Sequence, residues 1–152
     1  METWVSGGFR IRKLTMNRRE IREHVFKQLF LTEFYGDSQE YEEECQLYRE
    51  ELEGLSEEEN QELAEKARVI GAAVPALDEK INAVAQGWKT QRMGKVDLTL
   101  IRLALYEMAY DDKVPVRVAI NEAVELAKTY GGDDSPAFVN AILGNLAKGM
   151  EE

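Results

Sequence analysis

Residues 116–147, VRVAINEAVELAKTYGGDDSPAFVNAILGNLA, constrain this chain most, because they read as two amphipathic helices around one tight break. Ile120, Ala123, Val124 and Ala127 recur at i, i+3, i+4 and i+7, the spacing of one buried helical face. Gly131-Gly132 is expected to end that helix by supplying a positive φ. Asp133, Asp134 and Ser135 follow with side chains that accept hydrogen bonds from open N–H groups, and Pro136 suits a first helical turn with Ser135 as N-cap. The next helix repeats the stripe with Val139, Ile142, Leu143 and Leu146. Phe138 falls about 90° from the centre of that stripe, where it is either the edge of a wide core face or a docking point.

The rest of the chain reads the same way. Asn17 caps a first helix, with Glu20 completing a capping box and Ile21, Val25, Phe26, Leu29 and Phe30 forming an apolar face down to Phe34. Gly36-Asp37-Ser38 breaks it. A polar helix over residues 39–53 is held by Tyr41, Cys45, Tyr48 and Leu52, and Gly54 ends it. Ser56 and Glu59 form a second capping box before a helix that buries Leu63, Ala67, Ile70 and Val74. Pro75 is expected to break or kink the chain before a fourth helix with Leu77, Ile81, Val84 and Trp88 inward. After the Gly94-Lys95-Val96 link, Asp97 is expected to cap a helix apolar on nearly all sides, from Leu98 to Met108, which makes it the central one. Arg102 inside it needs a carboxylate, for which Glu122 and Glu107 are the candidates. Val114-Pro115 opens the sixth helix. Strand signals and repeats are absent from this reading, and the fold class is all-α, a single-domain bundle of about seven helices.

Charge is segregated. Residues 1–30 hold seven basic and three acidic residues, whereas residues 33–65 hold one basic residue, Arg49, and fourteen acidic ones. A net charge of −10 therefore still permits a local basic patch on an acidic body. Arg18, Arg19 and Arg22 supply it. They crowd the start of the first helix, where the macrodipole favours anions, so either an anionic ligand such as a phosphate or the protein's own acidic block must answer them.

Catalysis finds no support. His24 is the single histidine and Cys45 the single cysteine, too few for an ordinary zinc site, and no nucleophile stands near His24 in sequence. Gly131-Gly132 does not follow a strand, so it is no dinucleotide fingerprint. No cofactor and no metal is expected. No apolar run spans a bilayer, no signal peptide is evident, and the lone cysteine forms no internal disulfide, which together imply a cytoplasmic protein.

Three ordered stretches carry a resemblance: NRREIREHVFKQLF, WKTQRMGKVDLTLIRLALYEM and AINEAVELAKTYGGDDSPAFVNAIL. From about Met16 to Lys148 the chain resembles the NusB family of transcription antitermination factors. The resemblance assigns residues 16–150 to a NusB-like RNA-binding domain and leaves residues 1–15 as a disordered extension or a start-site artefact. It implies binding of single-stranded boxA RNA from ribosomal RNA leaders, jointly with the ribosomal small-subunit protein NusE. The setting would be the RNA polymerase antitermination complex, which promotes processive rRNA transcription. Carried onto this chain, it implies that Arg18, Arg19, Arg22 and Lys95 contact RNA, and that Phe30, Asp97, Asp134 and Phe138 face NusE. Phe30 stands where many relatives have tyrosine, so a hydroxyl contact is lost there; Ile21 and Val25 replace alanines, which suggests repacking. A homodimer is possible. Two alternatives remain: an RNA-positioning domain related to those of rRNA cytosine methyltransferases, and a protein-only helical interaction module.

Overall fold

In the computed structural model, the described residues are 2–4, 10–12, 16–36, 38–87 and 89–150. They divide into two compact units, residues 1–68 and residues 69–152.

In the first unit, β1 (Glu2–Trp4) pairs antiparallel with β2 (Arg10–Arg12), with Thr3 opposite Ile11. No strand was expected here. Thr, Trp and Ile favour extended backbone, but runs of three residues are too short to show an alternating period. Helix α1 (Arg18–Phe30) begins with the capping box expected of its sequence: Asn17 Oδ1 accepts from the Glu20 N–H, and Glu20 Oε1 accepts from the Asn17 N–H. It ends at Phe30, and a one-turn helix, α2 (Thr32–Tyr35), carries on to Gly36 at φ +65°. Ser38 caps α3 (Gln39–Glu50), and Gly54 at φ +72° turns the chain toward α4 (Glu57–Val84). The second capping box also forms, Ser56 N–H to Glu59 Oε1 and Glu59 N–H to Ser56 Oγ, each 3.0 Å. Val25, Phe26, Leu29, Tyr41, Cys45, Leu63 and Ala67 make this unit's core.

The third and fourth expected helices are one. Helix α4 runs through Pro75, which is exposed on its surface. Proline strains a helix by crowding the carbonyl four residues back and by removing one N–H. That carbonyl belongs to Gly71, and solvent access on this side lowers the cost of the missing bond. Leu77 and Ile81 are fully buried as expected and Val84 half-buried; Trp88 lies outside the described residues.

A 3-10 turn (Thr90–Arg92) leads into α5 (Lys95–Tyr110), followed by α6 (Val116–Tyr130) and α7 (Ser135–Met150). These three helices pack on one another around Leu100, Ile101, Leu105, Val139 and Leu143, each essentially inaccessible. Gly94, not Asp97, occupies the cap position of α5; Asp97 sits in the first turn, where its charge still suits the positive end of the dipole. On α6 the buried face is Ala119, Ala123, Leu126 and Ala127, with Ile120 and Val124 half-buried at its edge.

Arg102 does find a carboxylate, and one that the sequence reading did not name. Asp78 of α4 takes its guanidinium in a bidentate pair, Nε–Oδ1 2.8 Å and Nη2–Oδ2 2.7 Å. Gly131 is needed for another reason than positive φ: its φ is −97°. A Cβ added there would lie 2.5 Å from Ser135 Cβ and Oγ and 2.9 Å from the Ala127 carbonyl oxygen. Ser135 is accordingly no N-cap but the first residue of α7, buried, its Oγ accepting from the Gly132 N–H at 3.0 Å. Gly131→Ala is expected to cost about 2 kcal/mol, the usual scale for forcing a methyl into a packed turn. Urea denaturation checks this, and a midpoint equal to that of the unsubstituted protein would show that the turn yields freely.

Candidate nucleic-acid interface

The cationic mouth of α1 is built by its cap. The capping box takes up the Glu20 N–H, and the N–H groups of Arg18 and Arg19 lie outside it, at the positive end of the helix. Both arginine side chains are exposed, Arg18 at the first helical position and Arg19 at the second. Arg22 differs. It is only 7% exposed, so the three arginines do not form one open row. Position 22 lies three residues before Val25 and four before Phe26, on the buried side of the helix, and this rotation carries its guanidinium inward.

His24 adds no charge to this mouth at neutral pH. Burial, and then the Lys27 ammonium, lower its imidazole below the ordinary range, and Nδ1 lies 2.6 Å from the Tyr48 hydroxyl. Cys45 is buried and burial pushes its thiol pKa up, so the side chain stays neutral. A groove of about 670 Å³ between α3 and α4 has Glu42, Glu58, Glu62 and Glu65 among its walls. Arg49 and Arg68 stand among the same walls, so the groove carries a small net negative charge that disfavours a phosphate chain.

Phe30 sits at the opposite end of α1, about 18 Å along the axis from Arg18. It is half-buried between Phe26, with ring centroids 6.1 Å apart, and Phe34, at 5.5 Å edge to face. Phe34 is 67% exposed. Sequence reasoning treated it as the end of a core face; the i, i+4 spacing of Phe26, Phe30 and Phe34 is the signal that extends the aromatic run to the surface.

The second unit holds the remaining residues in two places. Lys95, exposed, and Asp97, half-buried, share the first turn of α5. Asp134, exposed, and Phe138, half-buried, stand one turn apart at the start of α7, where the Phe138 N–H donates the helix's first bond to the Asp134 carbonyl at 3.0 Å. Among the described residues no cluster of His, Cys, Asp and Glu could hold a metal ion, and no helix is long and apolar enough to cross a membrane.

Helix-start cations in the first unit and the helix packing of the second define a predominantly helical protein with no metal cluster among its described residues. Comparison with known proteins makes this specific. The NusB family pattern matches residues 19–148. The transcription antitermination protein NusB of Agathobacter rectalis is 49% identical over 132 residues, 87% of this chain and 100% of the relative. That of Lachnoclostridium phytofermentans is 47% identical, over 86% of this chain and 98% of its own. T. maritima NusB superposes with a TM-score of 0.77 at 34% identity, covering 89% of this chain and 93% of that one. The chain belongs to the NusB family. Its role is transcription antitermination, for which these relatives are named.

Proposed function

We propose that this protein acts in antitermination by binding single-stranded boxA RNA of ribosomal RNA leaders together with NusE, within the RNA polymerase antitermination complex. The observation that carries the RNA half is the pair of exposed arginine residues, Arg18 and Arg19, beside N–H groups at the positive end of α1. Phosphate oxygens accept from both kinds of donor, and the dipole adds to the attraction. Arg22, being buried, supports the helix mouth and is not a direct contact in this reading. Lys95 is the cation assigned to RNA in the second unit. Phe30 with Phe34, Asp97, and the Asp134–Phe138 pair are assigned to NusE: aromatic rings offer large rigid contact area, and carboxylates attract a basic ribosomal protein.

So few cations give weak, salt-sensitive binding alone, and a partner that touches both protein and RNA raises the affinity without new contacts from this chain. The test is an anisotropy titration of labelled boxA RNA with and without NusE. Arg18→Ala and Arg19→Ala are each expected to weaken binding about fivefold and to flatten the log–log salt dependence by about 0.7, the loss of one phosphate contact. Affinity and slope at the unsubstituted values in both variants would overturn the assignment. NusE is expected to tighten RNA binding, and a titration unmoved by NusE would remove the joint-binding half of the reading.

A further inference from the structure

A buried carboxylate 43 residues away in sequence holds the chain where it enters α1. Glu59 is 8% exposed. Its Oε1 accepts from the Ser56 N–H at 3.0 Å and thereby caps α4, while its Oε2 accepts from the Met16 N–H at 2.8 Å. Met16 immediately precedes Asn17, whose own cap sets the first turn bearing Arg18 and Arg19. One side chain therefore fixes two helix starts at once. An ordinary capping-box glutamate serves only the first of them.

We infer that Glu59 is a positioning residue for RNA binding: its second oxygen pins the backbone at Met16 and so sets where the Arg18 and Arg19 guanidinium groups and their N–H groups are presented. The inference rests on the RNA reading given above. Without the pin, the backbone at Met16 gains conformational freedom, and RNA must order it on binding, which lowers affinity without removing a cation from the mouth of α1.

Chemistry supplies a variant that separates the two duties. A capping box accepts glutamine as well as glutamate, so Glu59→Gln keeps an oxygen for the Ser56 N–H. The Met16 N–H then faces an amide NH2, which cannot accept. Glu59→Gln is expected to leave the thermal midpoint within about 2 °C of the unsubstituted protein. Amide exchange at Met16 should speed up, with the amides of α5 unchanged. Affinity for labelled boxA RNA should fall about fivefold, the cost of ordering about one backbone residue on binding. In an R18A/R19A background the same substitution should add nothing, because it acts through those two residues.

Three results would overturn the inference: RNA affinity unchanged in Glu59→Gln, an equal loss of affinity in the R18A/R19A background, or a fall in thermal midpoint large enough to account for the weaker binding. The proposed function has a separate failure, since there the unsubstituted protein itself would not bind the RNA.

Discussion

Asp78→Ala is expected to destabilise the protein by about 2 kcal/mol, because it removes the bidentate carboxylate that Arg102 holds across α4 and α5. The side chains of Arg102 and Asp78 are 14% and 22% exposed, so the pair is largely desolvated but not sealed. That places the cost below the usual range for breaking fully buried pairs. Asp78→Asn keeps the shape and one acceptor, and is expected to lose about half as much. Replacing both residues by apolar ones of similar volume, D78L/R102M, should recover most of the loss, since the desolvation of two charges disappears together with their attraction. Urea denaturation of the three variants distinguishes these cases. Equal stability of Asp78→Ala and the parent protein would mean that water or another group takes up Arg102 without cost.

The second large effect is expected at Gln28, a fully buried amide at the centre of the first unit. Its Nε2 donates to the Leu63 carbonyl at 3.1 Å, and its Oε1 accepts from Arg49 Nη1 at 2.9 Å. Arg49, half-buried, in turn donates from Nε to Asn60 Oδ1 at 2.9 Å, so α1, α3 and α4 are tied through polar side chains. Gln28→Ala is expected to cost about 4 kcal/mol, combining a cavity with a buried carbonyl and a guanidinium that both lose a partner. Gln28→Leu refills the volume and leaves only the polar part of the loss, about 2 kcal/mol. If Gln28→Leu matched the parent in chemical denaturation, the network would be an incidental feature of the packing. Neither Gln28 nor Asp78 belongs to the proposed binding surface, so RNA affinity of the folded variants should stay at the parent value.

Both predictions concern partners that no reading of the chain alone singled out. Gln28 lies in the middle of an apolar face whose neighbours Val25 and Leu29 were foreseen, and its burial follows from α3 and α4 closing over it. Asp78 is 24 residues from Arg102, on a helix expected to be broken three residues earlier. The candidate site divides in the same manner. That cations and N–H groups gather at the mouth of α1 was legible, because a cap and three arginines within five residues are a local pattern. That Arg22 turns inward, and that Phe34 comes out to the surface, depends on which side of the helix its neighbours cover.

Rules that act within one or two turns were enough for the helical class, both capping boxes, the buried stripe of α7 and the all-round apolar α5. A cap, a turn and a 3.6-residue stripe are each satisfied by residues at most four apart, so their energetics are written locally. Rotation of each helix about its axis, and the choice of partner across the core, are not. The shift of the buried face of α6 toward Ala119 and Leu126, the Arg102–Asp78 pair and the reach of Glu59 back to Met16 all arise only when distant elements pack together. Periodicity tells a helix that it has an inner face; only packing decides what that face meets.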